Sequence, residues 1–142
     1  MSYLLDTNIV SELRKGRKCD AHVARWFQTV PEQDLFLSVM VVGEIRKGIE
    51  LLRARDGLRA GQFDEWLDTL VVQFGPRILP IDSAVCEEWG RLSAIRTLPV
   101  VDGLLAATAR VYNLIFVTRD ADLLDLDVHL FNPFVLFLRQ EG

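Results

Sequence analysis

Short, nearly continuous apolar runs alternate with longer amphipathic stretches along this chain. The runs are YLL (Tyr3–Leu5), DLFLSV (Asp34–Val39), RILPI (Arg77–Ile81), LIFVT (Leu114–Thr118) and VHLF (Val128–Phe131). Each has strand length, and LIFVT is the clearest, bounded by Asn113 and by Arg119-Asp120. Pro80 marks RILPI as an edge strand or a strand end. Between the runs, helical spacing of apolar positions predicts helices over Asp20–Val30, Val39–Arg55, Gly61–Phe74, Asp82 or Ser83 to about Arg96, and Val101–Tyr112. Punctuation agrees: Asp20 precedes one helix, Pro31 follows it, and Asn113 stands where a left-handed C-terminal residue belongs. Apolar strands separated by helices imply a three-layer α/β domain with a parallel sheet covered on both faces. In such sheets ligands bind beyond the carboxyl ends of the strands.

That rule draws attention to LLDTN, Leu4 to Asn8, where the first strand runs straight into Asp6. Asp6 either caps a following helix or opens a metal-binding cluster, and Thr7-Asn8 marks a turn or a helix start. Three further acids stand in apolar surroundings. Glu44 shares a helical stripe with Met40, Val41, Gly48 and Leu51, where a core residue is expected. Asp102 begins the stripe Asp102, Leu105, Ala106, Ala109, whose small residues allow close helix–sheet approach. Its place in the first turn also suits the helix dipole, so capping alone would account for it. Asp120 follows the strand LIFVT by one residue, with Asp122 close behind as a substitute. A buried, unpaired carboxylate is costly and tends to take up a proton, and several together repel one another. A divalent cation removes both difficulties. The pattern therefore points to metal-assisted hydrolysis of a phosphate ester, with water activated and phosphoryl charge offset by the ion.

Composition narrows the chemistry. The chain has 142 residues, half of them apolar and a quarter charged, which predicts one globular domain over 1–142. No apolar run reaches membrane-spanning length and no signal-peptide pattern opens the chain, so a soluble, cytoplasmic protein with no membrane partner is expected. Cys19, Cys86, His22 and His129 are isolated, which excludes a zinc pattern and leaves a hard cation held by oxygens. The net charge of −4 opposes non-specific nucleic-acid affinity. The charge is uneven, however: up to Gln62 there are ten Lys/Arg against eight Asp/Glu, and beyond it six against twelve. Arg14, Lys15, Arg46 and Lys47 are candidate rim cations for an RNA backbone, each equally readable as a solvated helix residue.

Taken together, LLDTNIVSEL, SVMVVGEIRKGIE, VVDGLLAATARVYNL and VTRDADL resemble, in order, the motifs of the PIN-domain ribonucleases. The likeness is greatest to VapC-type toxins of bacterial toxin–antitoxin pairs in the FitB-like branch, and FNPF (Phe131–Phe134) also resembles that branch. The resemblance implies a PIN-like five-stranded parallel sheet and an acidic pocket for Mg2+, with Mn2+ as an alternative. It implies Asp6, Glu44, Asp102 and Asp120 as catalytic and metal-binding acids, Thr7 and Thr118 as supporting hydroxyls, and Asp122 as an alternative fourth acid. It further implies an RNA substrate, a small VapB-like antitoxin partner and a homodimer. The competing readings are a PIN-like RNA- or protein-binding module without catalysis and a haloacid-dehalogenase-like phosphatase. The phosphatase requires an acid two residues after Asp6, where this chain has Asn8.

Overall fold

All five expected strands form, each no longer than the apolar run that carries it. In the computed structural model β1 (Tyr3–Leu5), β2 (Leu35–Ser38), β3 (Ile78–Leu79), β4 (Ile115–Val117) and β5 (Leu130–Phe131) lie parallel in the order β3-β2-β1-β4-β5. The structure describes residues 1–135, apart from the side chains of Ala121, Asp122 and Leu124. Tyr3 of β1 pairs with Leu35 on one side and Ile115 on the other, so β1 is the central strand. β3 and β5 are two-residue edges, and Pro80 follows β3 directly, as its missing N–H predicts.

Six helices among the described residues flank the sheet: α1 (Thr7–Arg14), α2 (Ala21–Gln28), α3 (Val39–Arg53), α4 (Gly57–Phe74), α5 (Ser83–Ile95) and α6 (Val100–Val111). Two of them depart from the sequence expectation. The segment read as a turn at Thr7-Asn8 opens α1, an eight-residue helix whose Ile9 and Val10 enter the core. Its brevity and β-branched residues weaken the helical signal, and tertiary burial overrides them. α4 begins at Gly57 rather than Gly61, because the Asp56 carboxylate accepts the Arg59 N–H at 3.1 Å and caps it there. The other caps hold as read. Asp20 accepts from the N–H groups of His22 and Val23, Asp82 from that of Val85, and Asn113 adopts φ +55° after α6.

The core lies around β1, β2 and β4, where Leu4, Leu5, Leu35, Leu37, Phe116 and Val117 are buried. Each such side chain contributes about 1.5–3 kcal/mol when withdrawn from water. Tyr3 and Trp26 meet edge to face at 5.4 Å and fasten α2 to the sheet. Cys19 and Cys86 are free thiols. No single helix among the described residues is long and apolar enough to cross a membrane.

The strand order has a functional consequence. From β1 the chain winds outward through β2 to β3, then returns to β4 and proceeds to β5. The winding direction reverses between β1 and β4, and the crevice beyond their carboxyl ends is the position where open α/β sheets bind ligands.

Candidate active site

Asp6 stands in that crevice. Its backbone N–H donates to the Val117 carbonyl at 2.9 Å, which joins the end of β1 to β4. Its Oδ1 accepts the Thr7 N–H at 2.7 Å, so it is also the N-cap of α1. Of the two alternatives the sequence left open, capping is thus one role of this side chain. Oδ2 accepts the Thr118 hydroxyl at 2.6 Å and the Asn8 amide Nδ2 at 3.3 Å. Asp6 is only 9% exposed and Thr118 2%.

Two threonines tie Glu44 and the backbone of Asp120 to this centre. The Thr7 hydroxyl donates to Glu44 Oε1, which links α1 to α3. Thr118 Oγ1, while donating to Asp6, accepts the backbone N–H of Asp120 at 3.0 Å. Burial is the main cause that lifts the Asp6 carboxyl above the ordinary carboxylate range. The bonds from Thr118 and Thr7 pull it down, and the negative charges of Glu44 and Asp120 push it up again.

Glu44 is half-buried and sits at the margin of its helix's apolar face rather than within it. The buried stripe of α3 is Val41, Ile45, Ile49 and Leu52, and Leu51 is 63% exposed. Glu44 therefore keeps a polar opening toward Thr7. Asp102 is the acid of the first turn of α6 and is half-buried. The N-cap of that helix is Pro99, which provides no side-chain bond, so Asp102 is not the capping residue. Behind it Leu105, Ala106 and Ala109 are buried as the stripe requires, and α6 packs against both α3 and β4. Asp120 is half-buried and its charge acts on Asp6. The side chain of Asp122 lies outside the described residues.

The rim differs from the sequence expectation. Arg46 is committed to Glu50 at 3.0 Å and Asp64 at 2.7 Å, and Lys15 pairs with Glu12 at 3.0 Å. Arg14 instead lies over the ring of Phe63, 4.4 Å from its centroid. Asn8 is the site residue that the sequence reading treated only as a turn or helix start. Its position two residues beyond the strand-ending acid was the available signal.

The donors at this site are all oxygens: carboxylates, two threonine hydroxyls and the Asn8 carbonyl. That set suits a hard divalent cation. Among the described residues Asn8 Oδ1, buried beside Asp6, has no hydrogen-bond partner, an orphaned acceptor of the kind that a cation or its water satisfies. Among the described residues no three His, Cys, Asp or Glu side chains are gathered as a finished cage. The four-acid ligand set expected from the sequence is thus not closed around one point. Magnesium is commonly held by only one or two carboxylates, with water and substrate phosphate completing its shell, and an open arrangement fits that habit.

The model of the PIN domain family matches residues 3–128. The chain belongs to the PIN-domain family. Among relatives of this PIN domain, Toxin FitB of Neisseria gonorrhoeae is 32% identical over 92% of the chain and 96% of the toxin. VapC ribonuclease Y4jK of Sinorhizobium fredii is 32% identical over 82% of the chain and 86% of that protein. Among solved structures, FitAcB from Neisseria gonorrhoeae superposes with a TM-score of 0.85 at 31% identity, covering 94% of this chain and 99% of the other. A structure of FitAB bound to a DNA fragment gives a TM-score of 0.84 at 30% identity, covering 94% and 96%. The parallel sheet and its flanking helices are thus those of the PIN fold, as the four motifs implied.

Proposed function

We propose that this PIN domain is a metal-dependent endoribonuclease acting as the toxin of a VapBC-type toxin–antitoxin pair in the cytoplasm. One observation carries the reading. A buried carboxylate, its pKa raised chiefly by that burial, stands at the carboxyl end of the central strand, joined through hydroxyls to two further acid-bearing segments. Such an arrangement is costly for a fold and useful for holding a cation. Asp6, Glu44, Asp102 and Asp120 are the residues assigned to Mg2+, with Mn2+ as an alternative. A bound divalent ion lowers the pKa of water and offsets the charge of the phosphodiester.

The chain's own residues prepare that step. Asp6 is held ionisable but reluctant: burial raises its carboxyl, while Thr118 and Thr7 donate to the charged form. Thr7 and Thr118 fix the rotamers of Glu44 and Asp6, so the negative end of the crevice keeps its geometry before substrate arrives. Asn8 donates its amide to Asp6 Oδ2, and its buried Oδ1 has no partner among the described residues. A scaffold that only bound RNA or protein would have no use for a desolvated acid here, which favours hydrolysis over the binding-module reading. The likeness to Toxin FitB and to VapC ribonuclease Y4jK supports the RNA substrate. The FitAcB and FitAB structures support an antitoxin partner and assembly into an oligomer, for which a homodimer is the simplest form.

The test is cleavage of purified single-stranded RNA by the full chain with Mg2+ or Mn2+. Cleavage that stops with EDTA and in Asp6→Asn supports the reading. An Asp6→Asn protein that cuts as the parent does overturns the assignment of Asp6, and no cleavage by the parent under either ion overturns the nuclease.

A further inference from the structure

A cavity of about 350 Å³ opens beside the acids, between α1, α3 and α4. Thr7 and Glu44 form its acidic end, and Phe63 and Trp66 form an aromatic wall. Ile45, Ile49 and Leu52 provide an apolar floor. Arg14 lines it too, with its guanidinium 4.4 Å from the Phe63 ring centre; that of Arg59 approaches the same ring at 5.9 Å. Among the described residues neither guanidinium has an ion-pair partner.

Gly48 is the most informative part of this wall. It lies inside α3, where glycine costs about 1 kcal/mol relative to alanine. A Cβ built there meets nothing within 4 Å, so close packing does not require the glycine. What the missing side chain leaves is open space in the cavity, one helical turn from Glu44.

We propose that this slot holds one unstacked base of a single-stranded RNA, beside the phosphodiester that the acids address. The inference rests on the nuclease reading above. Aromatic faces take any base by stacking, and the unpaired cations Arg14 and Arg59 complement the adjoining backbone phosphate. The acidic end places this nucleotide next to the reacting bond. RNA is favoured over a protein segment because flat rings beside guanidiniums that have no carboxylate partner among the described residues match a base attached to a phosphate. Phe63, Trp66 and Gly48 are then positioning residues that select unpaired over duplex RNA.

The experiment measures binding by fluorescence anisotropy in the full-length Asp6→Asn protein, which does not consume the probe. The probes are a fluorescein-labelled random-sequence RNA decamer and an abasic ribose-phosphate decamer. Gly48→Leu fills the slot, Gly48→Ala controls for helix propensity, and Phe63→Leu removes the stacking face. Gly48→Leu and Phe63→Leu are expected to weaken the RNA decamer by about tenfold or more, the value of one stacked base. Gly48→Ala, which adds one methyl to the slot, is expected to weaken RNA less than Gly48→Leu does, and the abasic decamer to be indifferent to Gly48→Leu. Thermal midpoints establish that each variant is folded, and Phe63→Leu decides the matter should Gly48→Leu not fold. The proposal is overturned if folded slot variants bind RNA as tightly as the parent. It is overturned equally if the abasic probe suffers as much as the RNA, or if the variants keep RNA but lose a co-purifying antitoxin protein. Slot variants that leave RNA binding unchanged while the Asp6-intact parent still cuts RNA remove the slot alone. A parent that neither binds nor cuts RNA removes the nuclease reading as well.

Discussion

Replacing Thr118 by valine isolates the join between the acids. The two side chains have nearly the same shape, and Thr118 is 2% exposed, so the surrounding packing is kept and only the hydroxyl is lost. Two bonds disappear: the 2.6 Å donation to Asp6 Oδ2 and the 3.0 Å bond from the Asp120 N–H. A hydrogen bond to a charged group contributes about 1.5–3 kcal/mol, and a part-buried N–H left without a partner adds roughly 1 kcal/mol. Asp6 can escape part of this by taking up a proton, so the net cost is about 2 kcal/mol. That is a substantial fraction of the roughly 5–15 kcal/mol that stabilises a domain, yet not enough to unfold it. The Thr118 bond is also one of the causes holding the Asp6 carboxyl down. Its loss raises that carboxyl further, so the acidic limb of the cleavage profile moves to higher pH. Urea denaturation in EDTA reads the first effect, and initial cleavage rates across pH with saturating Mg2+ read the second. The destabilisation should shrink once the pH is low enough to protonate Asp6 in the parent, because a neutral carboxyl accepts a weaker bond. A loss below about 0.5 kcal/mol, the range of an inconsequential substitution, together with an unmoved acidic limb would refute the role given to Thr118.

The remaining predictions concern the acids and one turn. The folded-state pKa of Asp6 is raised, chiefly by burial, so its contribution to metal-free stability is full below the unfolded carboxylate range and is lost as pH rises through the folded value. Asp6→Asn in EDTA should therefore hold or raise the thermal midpoint at neutral pH and flatten its decline from acidic to neutral conditions; a marked fall at neutral pH would contradict this. Asp120→Asn is expected to lower cleavage by about 10–100-fold, as loss of a group supporting a metal does. Asp122→Asn should cut near the parent rate, and the reverse ranking in a time course would move the fourth acid to Asp122. Gly75 ends α4 at φ +48°, so Gly75→Ala should cost about 1–2 kcal/mol in urea denaturation and leave RNA cleavage intact. No measurable cost there would mean that the turn relaxes to an ordinary conformation.

The strands were legible because buried parallel strands are written as unbroken apolar runs, and LIFVT and YLL became β4 and the central β1. Caps at Asp20, Asp82 and Asn113 were legible because a short polar side chain or a left-handed residue has few other uses at such places. α1 was hidden because its eight residues include Thr7, Ile9 and Val10, and its stability comes from burial that no local pattern records. The acids drew attention through their apolar neighbours, yet Glu44 lies at the edge of its stripe, a shift that spacing alone does not resolve. Asn8 and the aromatic slot were not seen. Both depend on which segments meet in space, Asn8 upon Asp6 and Arg14 upon Phe63. The pairing of Arg46 and Lys15 with nearby acids is likewise a matter of side-chain choice that charge runs do not reveal.

The central claim is that acids from separate segments share a divalent ion. Electron paramagnetic resonance of free Mn2+, titrated against the parent chain and against Asp6→Asn, Glu44→Gln, Asp102→Asn and Asp120→Asn, reads this directly and without reference to RNA. The account predicts that the parent depletes the free-ion signal, that each variant depletes it less, and that Asp6→Asn is the most impaired. A parent that leaves free Mn2+ untouched, or variants that bind it as the parent does, would contradict it.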